Sequence, residues 1–73
     1  EPLVYAPYSW YVISSSYEAG IALRAKPDSD SNLLNRFPQG TQFYVDAVSG
    51  VWGHTTINNT EGWINLDYTV KLD

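Results

Sequence analysis

The 73-residue sequence contains three Trp, six Tyr and two Phe, no Cys and a single His, and its formal net charge is −4. This length allows one small domain, and aromatic side chains must supply much of its buried area because no disulfide can form. The four basic residues are dispersed along the sequence, which argues against a nucleic-acid-binding surface and against attraction to anionic membranes. No apolar run is long enough to span a bilayer, so membrane insertion is not expected.

The beginning of the chain predicts an extended segment followed by a strand. Residues 1–9 contain two prolines, which remove backbone donors and restrict their neighbours, so this segment is predicted to be an arm or linker. Residues 10–13 are β-forming and are predicted to be the first strand. A polar loop over residues 14–20 follows, with Tyr17 as its single aromatic side chain.

Alternation of apolar and polar residues predicts the next strands and their buried faces. A short strand begins at residue 21, a polar loop covers residues 26–32, and a brief strand over residues 33–37 stops at Pro38. The clearest strand spans residues 42–48. Ile21 and Leu23 are predicted to share one face of the first of these strands, and Phe43, Val45 and Ala47 one face of the last.

The C-terminal third predicts a hairpin. A strand over residues 51–57 is expected to return through Asn58 and Asn59, which tolerate positive φ and suit a two-residue turn. Residues 65–68 are expected to form one 3₁₀ turn before a last strand over residues 69–72. Trp63 in the returning strand is predicted, together with Phe43, to belong to the core.

Several of these segments resemble the bacterial type of Src-homology-3 (SH3) domain. The similarity rests on an apolar–Arg pair before a Pro-containing loop, a Gly–Thr turn into an alternating strand, and a Trp strand paired with a Gly–Trp–apolar strand. The residues concerned are Leu23, Arg24, Pro27, Gly40, Thr41, Trp52, Gly62, Trp63 and Ile64, followed by the last turn at Leu66, Asp67 and Tyr68. The chain departs from the family pattern at residues 54–56, where relatives often carry basic side chains. The resemblance covers about residues 10–72 and implies an all-β fold: a small SH3-like barrel of about five to six short strands over residues 10–73, preceded by the arm.

Catalysis, metals and cofactors are not expected. The sequence has no Cys nucleophile, and His54 has no acidic partner at a fixed local spacing. Asp28, Asp30 and Asn32 alternate as a calcium loop begins, but the glycine and glutamate that complete such a loop are missing. We therefore expect a noncatalytic domain without a cofactor.

The aromatic side chains are the candidate binding residues. Tyr17 stands alone in a polar loop, where core packing does not explain it, and exposed loop aromatics favour recognition. The resemblance implies a ligand peptide between the N-terminal segment and this loop, while an alternative is that the aromatic residues of the arm merely pack on the barrel. The predicted site, a shallow aromatic groove, consists of Tyr8, Trp10, Tyr17, Glu18, Trp52 and Tyr68.

The resemblance also implies the class of partner and the location. It favours a binding module of a bacterial secreted or cell-surface protein, monomeric as an isolated domain, that recognises the peptide of cell-wall peptidoglycan. The alternative is a protein–protein or intramolecular module that positions a neighbouring domain without cell-wall affinity. A polyproline binder is a third possibility, which the single acidic residue of the 14–20 loop disfavours.

Overall fold

The computed structural model describes residues 9–72, which form eight β-strands and one 3₁₀ turn. None of these residues belongs to a helix that is long and apolar enough to cross a membrane. The predicted arm lies outside the described residues except for Ser9, which begins the first strand. The elements are β1 (Ser9–Ile13), β2 (Ile21–Arg24), β3 (Leu33–Phe37), β4 (Gln42–Val45), β5 (Ala47–Ser49), β6 (Trp52–Ile57), β7 (Thr60–Asn65), the 3₁₀ turn (Leu66–Tyr68) and β8 (Thr69–Leu72).

The strands form two antiparallel sheets, which confirms the predicted all-β class. One sheet has three strands in the order β4-β1-β8, and the other has five in the order β3-β2-β7-β6-β5. Their hydrogen-bond ladders do not close into a single barrel among the described residues. The three-stranded sheet joins the beginning and the end of the described chain, since β1 lies between β4 and β8.

The predicted strand over residues 42–48 is two strands that belong to different sheets. The chain leaves the three-stranded sheet after β4 and enters the five-stranded sheet at β5, with Asp46 between them. The amide of Asp46 donates to the carbonyl oxygen of His54 at 3.1 Å, which fixes the crossing point. Side-chain alternation continues through the crossing, because Phe43, Val45 and Ala47 are all buried. Because the crossing divides one predicted strand into β4 and β5, it is one reason why the described residues form eight strands and not the five or six expected.

The core lies where the inner faces of the two sheets meet. Its buried apolar side chains are Ile13, Ile21, Leu23, Phe43, Val45, Ala47 and Ile64, together with Phe37. The prediction that Phe43 belongs to the core is therefore confirmed, and the faces predicted to be shared by Ile21 and Leu23 and by Phe43, Val45 and Ala47 are the buried ones. The buried polar side chain among them, Thr55, donates its hydroxyl to the carbonyl oxygen of Tyr44 at 2.7 Å, so its burial leaves no unpaired donor.

The prediction that Trp63 belongs to the core is wrong. Trp63 is only partly buried, whereas its neighbour Ile64 is fully buried. Successive side chains of a strand point to opposite faces, so the two residues cannot both face the core. Trp63 instead packs its ring against that of His54 on the outer face, with ring centroids 5.1 Å apart in an edge-to-face arrangement.

The predicted hairpin and 3₁₀ turn are both confirmed. Asn58 and Asn59 have φ values of 52° and 66°, as a two-residue turn between β6 and β7 requires. The 3₁₀ turn is capped by Asn65, whose side-chain oxygen accepts from the amide of Asp67 at 2.9 Å. Both turns can be predicted from the sequence because their backbone conformations depend on the residues within the turn itself.

Candidate functional site

A pocket of about 480 Å³ opens where the 14–20 loop, the 3₁₀ turn and the outer face of the five-stranded sheet meet. Three aromatic side chains from separate segments surround it: Tyr17 of the loop, Trp52 at the start of β6 and Tyr68 of the 3₁₀ turn. Its floor includes Ala22 of β2. A pocket of this size and aromatic character is typical of sites that bind small molecules or short peptides.

Backbone hydrogen bonds hold the aromatic residues in place. The amide of Ser14 donates to the carbonyl oxygen of Tyr68 at 2.9 Å, which joins the start of the loop to the 3₁₀ turn. The amide of Leu66 donates to the carbonyl oxygen of Val51 at 2.7 Å, which joins the same turn to the residue before Trp52. The pocket is therefore built on fixed backbone, while its aromatic rings remain accessible.

Two of the aromatic side chains are strongly exposed. Tyr17 is 62% exposed and Tyr68 is 49% exposed, whereas Trp52 is partly buried. The loop that carries Tyr17 is closed by a hydrogen bond from the amide of Gly20 to the carbonyl oxygen of Tyr17 at 2.9 Å. Large aromatic side chains that remain exposed to solvent at the rim of a pocket favour contact with a ligand.

Two arginines also line the pocket, and sequence reasoning missed them. Nη1 of Arg24 donates to the carbonyl oxygen of Ser31, and Nη1 of Arg36 donates to that of Gly20, both at 3.0 Å. In the sequence the two residues are twelve positions apart. Antiparallel pairing of β2 with β3 brings them to one face. Alternation places Ala22 and Arg24 together on the outer face of β2. This alternation is the sequence signal from which Arg24 could have been identified as a candidate site residue.

Of the other predicted site residues, Trp10 and Glu18 are not at this pocket. Trp10 lies on the three-stranded sheet, where its ring packs edge-to-face on that of Tyr44 with centroids 5.3 Å apart. Glu18 is exposed in the 14–20 loop but does not line the pocket. Tyr8 lies outside the described residues. The structure thus brings together Tyr17, Trp52 and Tyr68 from the predicted set.

His54 forms a polar cluster with two carboxylates on the outer face of β6. Its Nδ1 lies 2.7 Å from Oδ1 of Asp46 and its Nε2 lies 3.2 Å from Oε1 of Glu61, so strand pairing supplies the acidic partners that local spacing did not reveal. Carboxylates only accept hydrogen bonds, and only the imidazolium form can donate from both ring nitrogens. Partial burial lowers the pKa of His54, but the hydrogen bonds and the attraction of both carboxylates outweigh it, and the net pKa is raised above 6.5.

This cluster gives a pH dependence of stability that His54→Gln should remove. Because the pKa is raised in the folded state, the added stability is fully present below about pH 6.5, the ordinary value. It is lost as the pH rises through the folded-state pKa. Urea unfolding of both proteins between pH 5 and 8 should show an excess of less than about 1 kcal/mol for the wild type at the acidic end, because both carboxylates are substantially exposed. An excess that grows with pH would contradict this assignment.

The described residues contain no group of three or more His, Cys, Asp or Glu side chains arranged to hold a metal ion. Comparisons of the chain with protein-family models, with curated proteins and with solved structures give no match. The side chains of the pocket offer three aromatic faces for contact and two guanidinium groups for an anion.

Proposed function

We propose that this chain is a noncatalytic binding module that captures an extended peptide in the pocket, and that the peptide belongs to bacterial cell-wall peptidoglycan. The observation that carries the proposal is the convergence of Tyr17, Trp52 and Tyr68 on one open pocket of about 480 Å³. A monomeric structural domain would have little reason to leave two of these rings about half exposed or more around a concave surface.

The shape and chemistry of the pocket favour a peptide over a compact metabolite. Tyrosine and tryptophan rings offer broad contact area to an extended backbone, and their polar atoms can bond its amides. The pocket is bordered by a loop and a turn as well as by strands. We expect a modest affinity, on the order of 10 μM to 1 mM, because a single small site offsets little of the entropy lost on binding.

The sequence resemblance supports the ligand class and the location. The segments that resemble bacterial SH3 domains include Arg24, Trp52 and the last turn with Tyr68, which is where the pocket lies. We propose accordingly that the two sheets form an SH3-like barrel and that the module acts outside the cell or at the cell surface. The formal charge of −4 makes nucleic acid and anionic membrane poor alternatives.

Sedimentation with purified Gram-positive sacculi tests the proposal. The full chain should appear in the pellet without releasing soluble wall fragments, and Tyr17→Ala combined with Tyr68→Ala should leave most of the protein in the supernatant. Trp10→Ala is the matched control, because it removes an equally exposed aromatic ring from the other sheet. Circular dichroism of each variant shows whether the fold is retained.

Two outcomes would contradict the proposal. One is a wild-type protein that stays in the supernatant with sacculi of several cross-bridge types. The other is equal retention of the folded double variant and the wild type, which would place the binding surface elsewhere.

A domain-positioning module without wall affinity is the second candidate, and the three-stranded sheet favours it. Trp10 is 50% exposed and Val70 is 51% exposed, and both lie on the outer face of that sheet through their pairing with Leu72 and Val12. An exposed apolar face of this kind suits packing against another protein surface. This candidate predicts no sedimentation with sacculi.

A further inference from the structure

Two of the four basic residues of this acidic chain line the same pocket. Among residues 9–72, the ion pairs present are those of His54, so neither Arg24 nor Arg36 has an acidic partner. Eight acidic residues are available in the sequence, and none of those described neutralises either guanidinium. Unpaired cations at a concave aromatic site indicate an anionic group on the ligand.

The local strand geometry places the two arginines on one face of the sheet with a small residue beside them. Ala22 pairs directly with Arg36 across β2 and β3, and Arg24 lies two residues further along the same face of β2. The methyl side chain of Ala22 fills little of the space that a larger residue would occupy. Ala22 and both arginines therefore line the same pocket on this face of the sheet.

Each guanidinium is positioned by the protein yet keeps donors for a ligand. One nitrogen of each group is engaged by a backbone carbonyl, at Ser31 for Arg24 and at Gly20 for Arg36. A guanidinium has five N–H donors in a planar fork, and this fork matches the two oxygens of a carboxylate. A carboxylate bound in the pocket can therefore accept charge-assisted hydrogen bonds from these free guanidinium donors.

The Arg24 side of the pocket is bounded by the 26–32 loop. Ser29 of this loop lines the pocket, and Arg24 is bonded to the loop at Ser31. The Ser31 hydroxyl lies 3.1 Å from the carbonyl oxygen of Lys26 and 3.0 Å from that of Asp28, which braces the loop internally. A peptide that continued past the arginines would meet this wall, whereas a peptide that ended there would fit.

We propose that Arg24 and Arg36 bind the C-terminal carboxylate of the ligand peptide, so that the pocket recognises a free chain end. This inference rests on the proposed function and specifies which part of the peptide the pocket takes. The preceding residues of the ligand lie against Tyr17, Trp52 and Tyr68.

The test uses three blocked peptides titrated into the isotope-labelled full chain and followed by NMR chemical shifts. The first is N-acetyl-tetraalanine with a free carboxylate, the second is its C-terminal amide, and the third is the amide of N-acetyl-Ala-Glu-Ala-Ala, whose carboxylate is internal. The free acid should bind at least roughly tenfold more tightly than either amide, since a charged hydrogen-bond pair is lost in the second and misplaced in the third.

Variants that remove one positive charge test which residues cause the preference for the free carboxylate. Arg24→Gln and Arg36→Gln should each weaken binding of the free acid roughly tenfold more than they weaken binding of the amide. Lys71→Gln is the matched control, because it removes the same charge from the other sheet. A purely structural role of the arginines would weaken the acid and the amide equally, so the ratio of the two affinities separates the roles.

The inference and the function on which it rests can fail separately. Equal affinity for acid and amide, equal affinity for the terminal and the internal carboxylate, or no binding of any peptide would each overturn recognition of the chain end. Retention on sacculi in those cases would preserve the cell-wall function. Loss of that retention for the wild type would overturn the function itself.

Discussion

Phe43→Ala is expected to leave the domain largely unfolded at room temperature. The Phe43 side chain is 2% exposed and stacks on the ring of Tyr11, with centroids 6.0 Å apart. Truncation of a buried Phe removes both its transfer free energy and its packing contacts, at a cost of about 3–5 kcal/mol. A domain of this length has a free energy of unfolding of roughly 3–5 kcal/mol. The substitution therefore removes most of the available stability.

Urea denaturation followed by far-UV circular dichroism measures this effect, with two aromatic truncations as references. Tyr17→Ala should change the free energy of unfolding by less than about 0.5 kcal/mol, because the ring lies in a loop and is exposed. Trp63→Ala should fall between the two, since its ring is partly buried against His54. Coincident transitions for Phe43→Ala and Tyr17→Ala would show that the core is assigned wrongly.

Gly62→Ala is expected to destabilise the domain by about 1–3 kcal/mol, the range for overpacking. A Cβ atom at residue 62 would lie 2.7 Å from the carbonyl oxygen of Arg24 and 2.9 Å from Cγ of Leu23. Both atoms belong to β2, the strand that pairs with β7. Relief of the overlap requires the two strands to separate, which weakens the ladder that joins β2 and β3 to the rest of the five-stranded sheet.

Gly53→Ala provides the matched control for this substitution. Its added Cβ would also be crowded, at 2.8 Å, but the neighbouring atom is Cδ2 of Leu66, the end of a side chain that can rotate. Thermal unfolding should therefore give a distinctly smaller loss for Gly53→Ala than for Gly62→Ala. The reverse order would mean that close packing of β2 on β7 is not what restricts residue 62 to glycine.

The sequence predicts those parts of the fold that depend on local chemistry. Alternation correctly placed Leu23 and Phe43 in the core, and the asparagine pair correctly predicted the hairpin turn. The crossing at Asp46 was missed because alternation continues unchanged on both sides of it. The prediction for Trp63 is wrong because its aromatic side chain favours the core, whereas strict alternation with the buried Ile64 places it on the outer face.

The candidate site was predictable only in part, because some of its residues are brought together by strand pairing that no local pattern specifies. Tyr17 was identified as an isolated loop aromatic, a signal that needs no knowledge of neighbouring strands. Arg36 reaches the pocket only through the register of β3 on β2, which no local pattern specifies. Trp10 was separated from the pocket by the sheet arrangement, because β1 pairs with β4 and β8 instead of joining β2.

The pairing of β1 with β8 also determines how the domain can be attached to other polypeptide. Trp10 pairs with Leu72 at one end of this ladder, while Ile13 pairs with Thr69 at the other end, next to Tyr68 of the pocket. The two ends are about 10 Å apart at the rise per residue of a strand. The two ends of the described chain, Ser9 and Leu72, thus lie on adjacent strands at the end of the ladder farther from Tyr68. A host protein that is joined to the domain at this end of the ladder would therefore be attached on the side away from Tyr68, so that the attachment and the proposed binding pocket occupy different parts of the surface.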